Sequence, residues 1–93
     1  MYFVYILTNQ QNTTFYIGIT NNLSRRIYEH QQKFVSGFTQ KYNLTKLVHA
    51  EQFMKVKEAI TREKQLKKWE RAWKVRIIEE MNPEWRDLYY DLV

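Results

Sequence analysis

The chain has 93 residues, 44% of them apolar and 16% aromatic, and no cysteine. That is enough for one modest core and too much for a disordered tail, and it excludes disulfides and cysteine-rich zinc sites. The formal net charge of +5 is compatible with a polyanionic partner, and it is uneven: residues 55–80 hold nine Lys/Arg against five Glu, residues 81–93 one Arg against three acids.

With two glycines, one proline and no repeat or linker, residues 1–93 read as a single domain. The opening M-Y-F-V-Y-I-L lacks a basic flank and is too short for a signal peptide or a membrane span. A cytoplasmic setting with no membrane partner is expected.

Residues 2–8 (Y-F-V-Y-I-L-T) are β-branched and aromatic and apolar on both alternating faces, which predicts a central strand covered on both sides. N-Q-Q-N-T then makes a turn, and residues 14–20 (T-F-Y-I-G-I-T) a second strand, antiparallel to the first. Phe15, Ile17 and Ile19 share one face of it, and Tyr16, Gly18 and Thr20 the other. Pairing of the strands brings Tyr5 and Tyr16 near each other. Asn21 or Asn22 caps a helix that runs to about residue 34, and S-G-F-T-Q-K-Y-N follows as a loop or short helical turn. Residues 45–53 (T-K-L-V-H-A-E-Q-F) form a third strand. Residues 55–80 are helical, with a break near Trp69–Arg71 where the apolar stripe drifts, and Asn82-Pro83 caps a last short turn. The order β-β-α-β-α-(α) fits an α+β fold with helices on a small three-stranded antiparallel sheet.

Polar residues fall on the apolar stripes of both helices. At about 100° per residue, Leu23, Ile27 and Phe34 line the first stripe, with His30 inside it, Arg26 at its edge and Arg25 pointing away. On the second helix Val56, Ala59, Ile60 and Leu66 make the stripe, and Glu63 lies in its middle. A buried carboxylate is costly unless it is paired, protonated or metal-bound. An inward acid, arginine and histidine together with two tyrosines have the composition of a site. A purely structural polar network is the alternative.

This ordered set resembles the GIY-YIG nuclease domain. V-Y-I at residues 4–6 stands where that family has G-I-Y, with Val4 in place of the glycine, and Y-I-G at residues 16–18 matches the second half literally. L-S-R-R-I at 23–27 is similar to the family's arginine helix, His30 lies where many members carry His or Tyr, and R-E-K at 62–64 resembles its glutamate helix, with Asn82 after it. The likeness runs from Tyr5 to about Trp85, and E-K-Q-L-K-K-W and N-P-E-W resemble the small stand-alone members. Unlike in the repair subunits and homing endonucleases that use this module, no attached DNA-binding domain is expected.

The resemblance implies hydrolysis of DNA phosphodiesters with one divalent metal, Mg²⁺ or Mn²⁺. Glu63 would hold the ion and Arg26 the non-bridging oxygens. Tyr5 and Tyr16 would position the attacking water, one of them as general base, while His30 shares proton transfer or holds Tyr5. Asn82 would support the metal site, or simply cap the segment before Pro83. Thr39 and Lys41 are expected to touch phosphates, with Phe38 and Tyr42 packed inward. Lys64, Lys67, Lys68, Arg71 and Lys74 are expected to form a strip that binds the backbone without reading sequence, and Trp69, Trp73 and Trp85 to lie in the core. Weak, salt-sensitive binding to DNA follows, with a preference for distorted or branched substrates and a link to repair or processing. The rivals are a binding module that does not cut, one that needs a protein partner to cut, and a protein-interaction domain.

Overall fold

The computed structural model describes residues 1–35 and 37–92. Ser36, in the expected loop, and Val93, at the end of the acidic tail, lie outside the described residues. The elements are β1 (Tyr2–Thr8), β2 (Phe15–Thr20), α1 (Leu23–Gln31), α2 (Phe38–Lys41), β3 (Lys46–Phe53), α3 (Val56–Lys68), α4 (Arg71–Met81) and a final 3-10 turn (Leu88–Asp91).

The doubly apolar β1 is the centre of the sheet, in the order β2-β1-β3, and both neighbours are antiparallel to it. Its two faces build two cores. Val4 and Ile6 join Ile17 and Val48 beneath Ala59 and Leu66 of α3 and Ile78 of α4. Tyr5 and Leu7 join Leu47 and Leu44 beneath Leu23 and Ile27 of α1. The three-stranded α+β reading holds, with helices on both faces of the sheet.

Asn22 caps α1 by accepting the Arg25 amide. The helix stops short of the expected residue 34. Lys33 takes φ 60, its amide returns to the His30 carbonyl at 3.1 Å, and the Phe34 amide returns to Glu29 at 2.9 Å. This left-handed cap is usually built on glycine, so a lysine there gives no stop signal. Phe34 therefore leaves the stripe and is 72% exposed.

The long helical stretch breaks where the stripe drifts: Trp69 and Glu70 are extended, with ψ 146 and ψ 156. Val56 and Ile60 of α3 are exposed rather than inward, and Ala59 and Leu66 are its buried residues. Trp69 and Trp85 pack against the core, but Trp73 is exposed. Asn82 ends α4, and Pro83 lies in the turn after it rather than opening a helix.

Candidate active site

The site begins with a cross-strand pair. Tyr5 of β1 lies opposite Gly18 of the edge strand β2. A Cβ on Gly18 would run into the Tyr5 Cζ and hydroxyl oxygen. Glycine is needed here so that the phenol can cross the edge strand. Tyr16, two residues before Gly18, shares its face, and its ring centroid lies 6.2 Å from that of Tyr5.

α1 supplies the next pair, one helical turn apart. The His30 ring lies 5.9 Å from Tyr5 and 5.6 Å from Tyr16, centroid to centroid. Its Nε2 is 3.0 Å from the Tyr5 hydroxyl, and its Nδ1 is 3.1 Å from the Thr39 hydroxyl. Burial, with the Arg26 charge beside it and against the pull of Glu29, lowers the His30 pKa to about 4. The ring is therefore neutral at neutral pH, with one nitrogen donating and the other accepting.

Arg26 adjoins the Tyr5 phenol and reaches Glu29 at 3.4 Å; its side chain is about one-third exposed while that of Arg25 points outward. Burial raises the Tyr5 pKa to about 12, despite the opposing pull of the Arg26 guanidinium. Tyr16 and Glu63 add to the rise.

Glu63 lies on α3. Its side chain is 17% exposed, and its partner is the more exposed Lys67 at 3.4 Å. Among the described residues no group of three or more His, Cys, Asp or Glu gathers to enclose a metal. A lone, mostly buried carboxylate fits one kind of ion well: a hydrated Mg²⁺ or Mn²⁺ that keeps water ligands and takes phosphate oxygens.

Tyr5, Tyr16, Arg26 and His30 thus come together, while Glu63 stands on α3, whose Ala59 and Leu66 pack with Val4 and Ile6 in the other core. Asn82 is occupied elsewhere: its amide donates to the Val48 and Arg86 carbonyls and accepts from the Arg86 amide. It is 3% exposed and fastens the end of α4 to β3.

Thr39 corrects the expected phosphate contact. It is 4% exposed, because α2 turns it inward onto His30. Lys41 is exposed, as are Lys64, Lys67 and Lys68. Arg71 leaves the expected basic strip, since it donates to the Asn12 and Thr13 carbonyls and covers the Phe15 ring.

The sequence reading missed Glu29, whose i,i+3 spacing from Arg26 was the available signal. It also missed the His49–Glu51–Arg62 network beneath α3. His49 Nε2 and Glu51 are 2.8 Å apart, and Arg62 grips the same carboxylate at 2.8 and 3.0 Å. Alternation along β3 puts His49 and Glu51 on one face, but no spacing signals Arg62, because β3 and α3 meet only in the fold.

A model of the GIY-YIG catalytic domain matches residues 1–76. A UPF0213 protein of Syntrophus aciditrophicus is 37% identical over 88% of this chain and 93% of its own length. A UPF0213 protein of Natronomonas pharaonis is 34% identical over 83% of this chain and 89% of its own length. The solution NMR structure of a UPF0213 protein from Bacillus halodurans superimposes with a TM-score of 0.59 at 25% identity, covering 94% of this chain and 93% of that one. With the domain model spanning the paired strands, α1 and the Glu63 helix, the chain belongs to the GIY-YIG family of nuclease-type catalytic domains.

Proposed function

We propose that this chain, acting as one domain, is a metal-dependent endonuclease that hydrolyses DNA phosphodiesters and selects substrates by structure rather than base sequence. The observation that carries the reading is the convergence of two tyrosines, an arginine and a histidine over Gly18, with the mostly buried Glu63 of α3 as the candidate metal ligand. Membership of a nuclease-type family makes DNA the substrate to test first.

Each side chain has a role its surroundings support. Arg26 is partly exposed and permanently charged, suited to gripping non-bridging phosphate oxygens as charge builds on them. A phenol with its pKa near 12 keeps its proton at neutral pH, so Tyr5 orients rather than accepts until more positive charge reaches it. Tyr16 is less buried and stands where an attacking water can touch it. Neutral His30 holds the Tyr5 hydroxyl in one direction. Glu63 would hold the divalent ion, its bond to exposed Lys67 giving way. When bound, such an ion supplies positive charge to the scissile phosphate and the leaving 3′ oxygen. Binding draws on exposed lysines and is weak and salt-sensitive.

The test is cleavage of labelled single-stranded, duplex, flap and four-way-junction DNA in Mg²⁺ and Mn²⁺, by wild type and Glu63→Gln. The expected outcome is metal-dependent cutting that falls at least a hundredfold in the variant, with its stability changed by no more than about 1 kcal/mol. Equal cutting by both proteins would overturn the assignment of Glu63. No cutting of any substrate by wild type would leave a binding module or a dependence on a partner protein.

A further inference from the structure

Beside the catalytic cluster lies a surface that no role above uses. Phe38, which opens α2, and Tyr42, which caps its end, are 48% and 44% exposed. They do not pack inward as their sequence pattern suggests. Their ring centroids are 4.8 Å apart, and the Lys41 ammonium lies 5.4 Å from the Tyr42 centroid.

The segment that carries this pair is one-sided in charge. From Gln31 to Ala50 the chain holds no Asp or Glu and three lysines, of which Lys33 and Lys41 are exposed and Lys46 is buried. Exposed Trp73 is different, since it lines a hollow with Glu80 and Arg76. Solvent-facing rings among lysines with no acid suit a polyanion that also carries flat apolar faces, which an unpaired stretch of nucleic acid provides. Bases stacked inside a duplex do not offer those faces.

We infer that the Phe38–Tyr42 pair with Lys41 is a stacking platform for unpaired bases of single-stranded DNA, placed next to the catalytic cluster. The placement follows from Thr39, which lies between Phe38 and Lys41 and whose hydroxyl joins His30 and, through it, Tyr5. A base stacked on the platform is thereby held close to the proposed cleavage site, so the substrates favoured are those with a single-stranded arm. The choice of DNA over other polymers rests on the nuclease reading; the stacking itself does not.

The experiment is fluorescence anisotropy of labelled oligo(dT) and of a duplex of equal length, both in EDTA so that cleavage plays no part. The proteins are wild type, Phe38→Ala/Tyr42→Ala and the aromatic-retaining Phe38→Tyr/Tyr42→Phe, each checked for fold by circular dichroism. Removing both rings is expected to weaken oligo(dT) binding roughly tenfold or more while duplex binding changes less than twofold, and the aromatic variant is expected to keep wild-type affinity. Unchanged oligo(dT) binding, an equal loss on duplex, or no oligo(dT) binding by wild type would overturn the platform. Tighter binding of oligo(U) than of oligo(dT) would overturn the choice of DNA. Concentration-dependent self-association lost in the double alanine variant, without a change in oligo(dT) binding, would assign the surface to a second copy of the chain. Stacking without cleavage would sink the nuclease reading and leave the platform standing, whereas cleavage indifferent to both rings would do the reverse.

Discussion

Gly18 shows how much one missing side chain can decide. Tyr5 passes over it with no room for a Cβ. Gly18→Ala is therefore expected to push the phenol aside, costing about 1–3 kcal/mol of stability and much of the activity. Urea unfolding and DNA cleavage measured on the same preparation check this; unchanged cleavage would mean that Tyr5 need not lie where it does. The pairing of Tyr5, Tyr16 and Gly18 was legible in the sequence because alternation along two adjacent strands fixes which side chains share a face. The role of Thr39 was not. A threonine two residues before a lysine in a loop reads as a surface residue, and only the folding of α2 over α1 turns it onto His30.

At the scale of elements, the same contrast separates α1 from α3. The start of α1 was visible in Asn22, whereas its end was hidden by a lysine in the left-handed position usually held by glycine. α3 is docked by a charged clamp as well as by Ala59 and Leu66. Burial pushes the Glu51 carboxyl up, but bonds from His49 and Arg62 outweigh it and bring the pKa down to about 2. Arg62 also lies 4.9 Å from the centroid of the Trp69 ring at the break between α3 and α4. Glu51→Gln is expected to cost about 2 kcal/mol, since charged hydrogen bonds are replaced by neutral ones and Arg62 is left half-buried. A lowered urea midpoint with an unchanged denaturant slope is the expected reading; an unchanged midpoint would mean that the clamp contributes nothing net.

For the molecule as a whole, the two buried groups predict how stability depends on pH. His30 is neutral in the fold, with its pKa near 4 against an ordinary 6.5. Between those values the unfolded chain takes up a proton that the folded one resists, so stability falls as pH drops from 6.5 to about 4, by at most about 3 kcal/mol. Glu51 is ionised in the fold, with its pKa near 2 against 4.5, so its contribution is complete above 4.5 and is lost as pH falls toward 2. Urea midpoints measured from pH 7 to pH 3 should therefore decline first through His30 and then through Glu51. His30→Gln is expected to flatten only the upper part of the decline; a slope between pH 6.5 and 4 that survives this change would place its origin elsewhere.

The order of strands and helices, the centrality of β1 and the inward turn of Arg26 and His30 were determined by the sequence alone, whereas the burial of Thr39 and His49 was not. Alternation, helical periodicity and the Asn22 cap are local properties, and they act whatever the rest of the chain does. The tertiary structure decided which of those polar residues meet. It set His30 against Tyr5, gave Thr39 to His30, spent Asn82 on the β3 backbone, and left Phe38 and Tyr42 facing solvent. Those outcomes depend on how helices dock across the sheet, and docking is set by contacts between residues far apart in the chain, which no local pattern encodes.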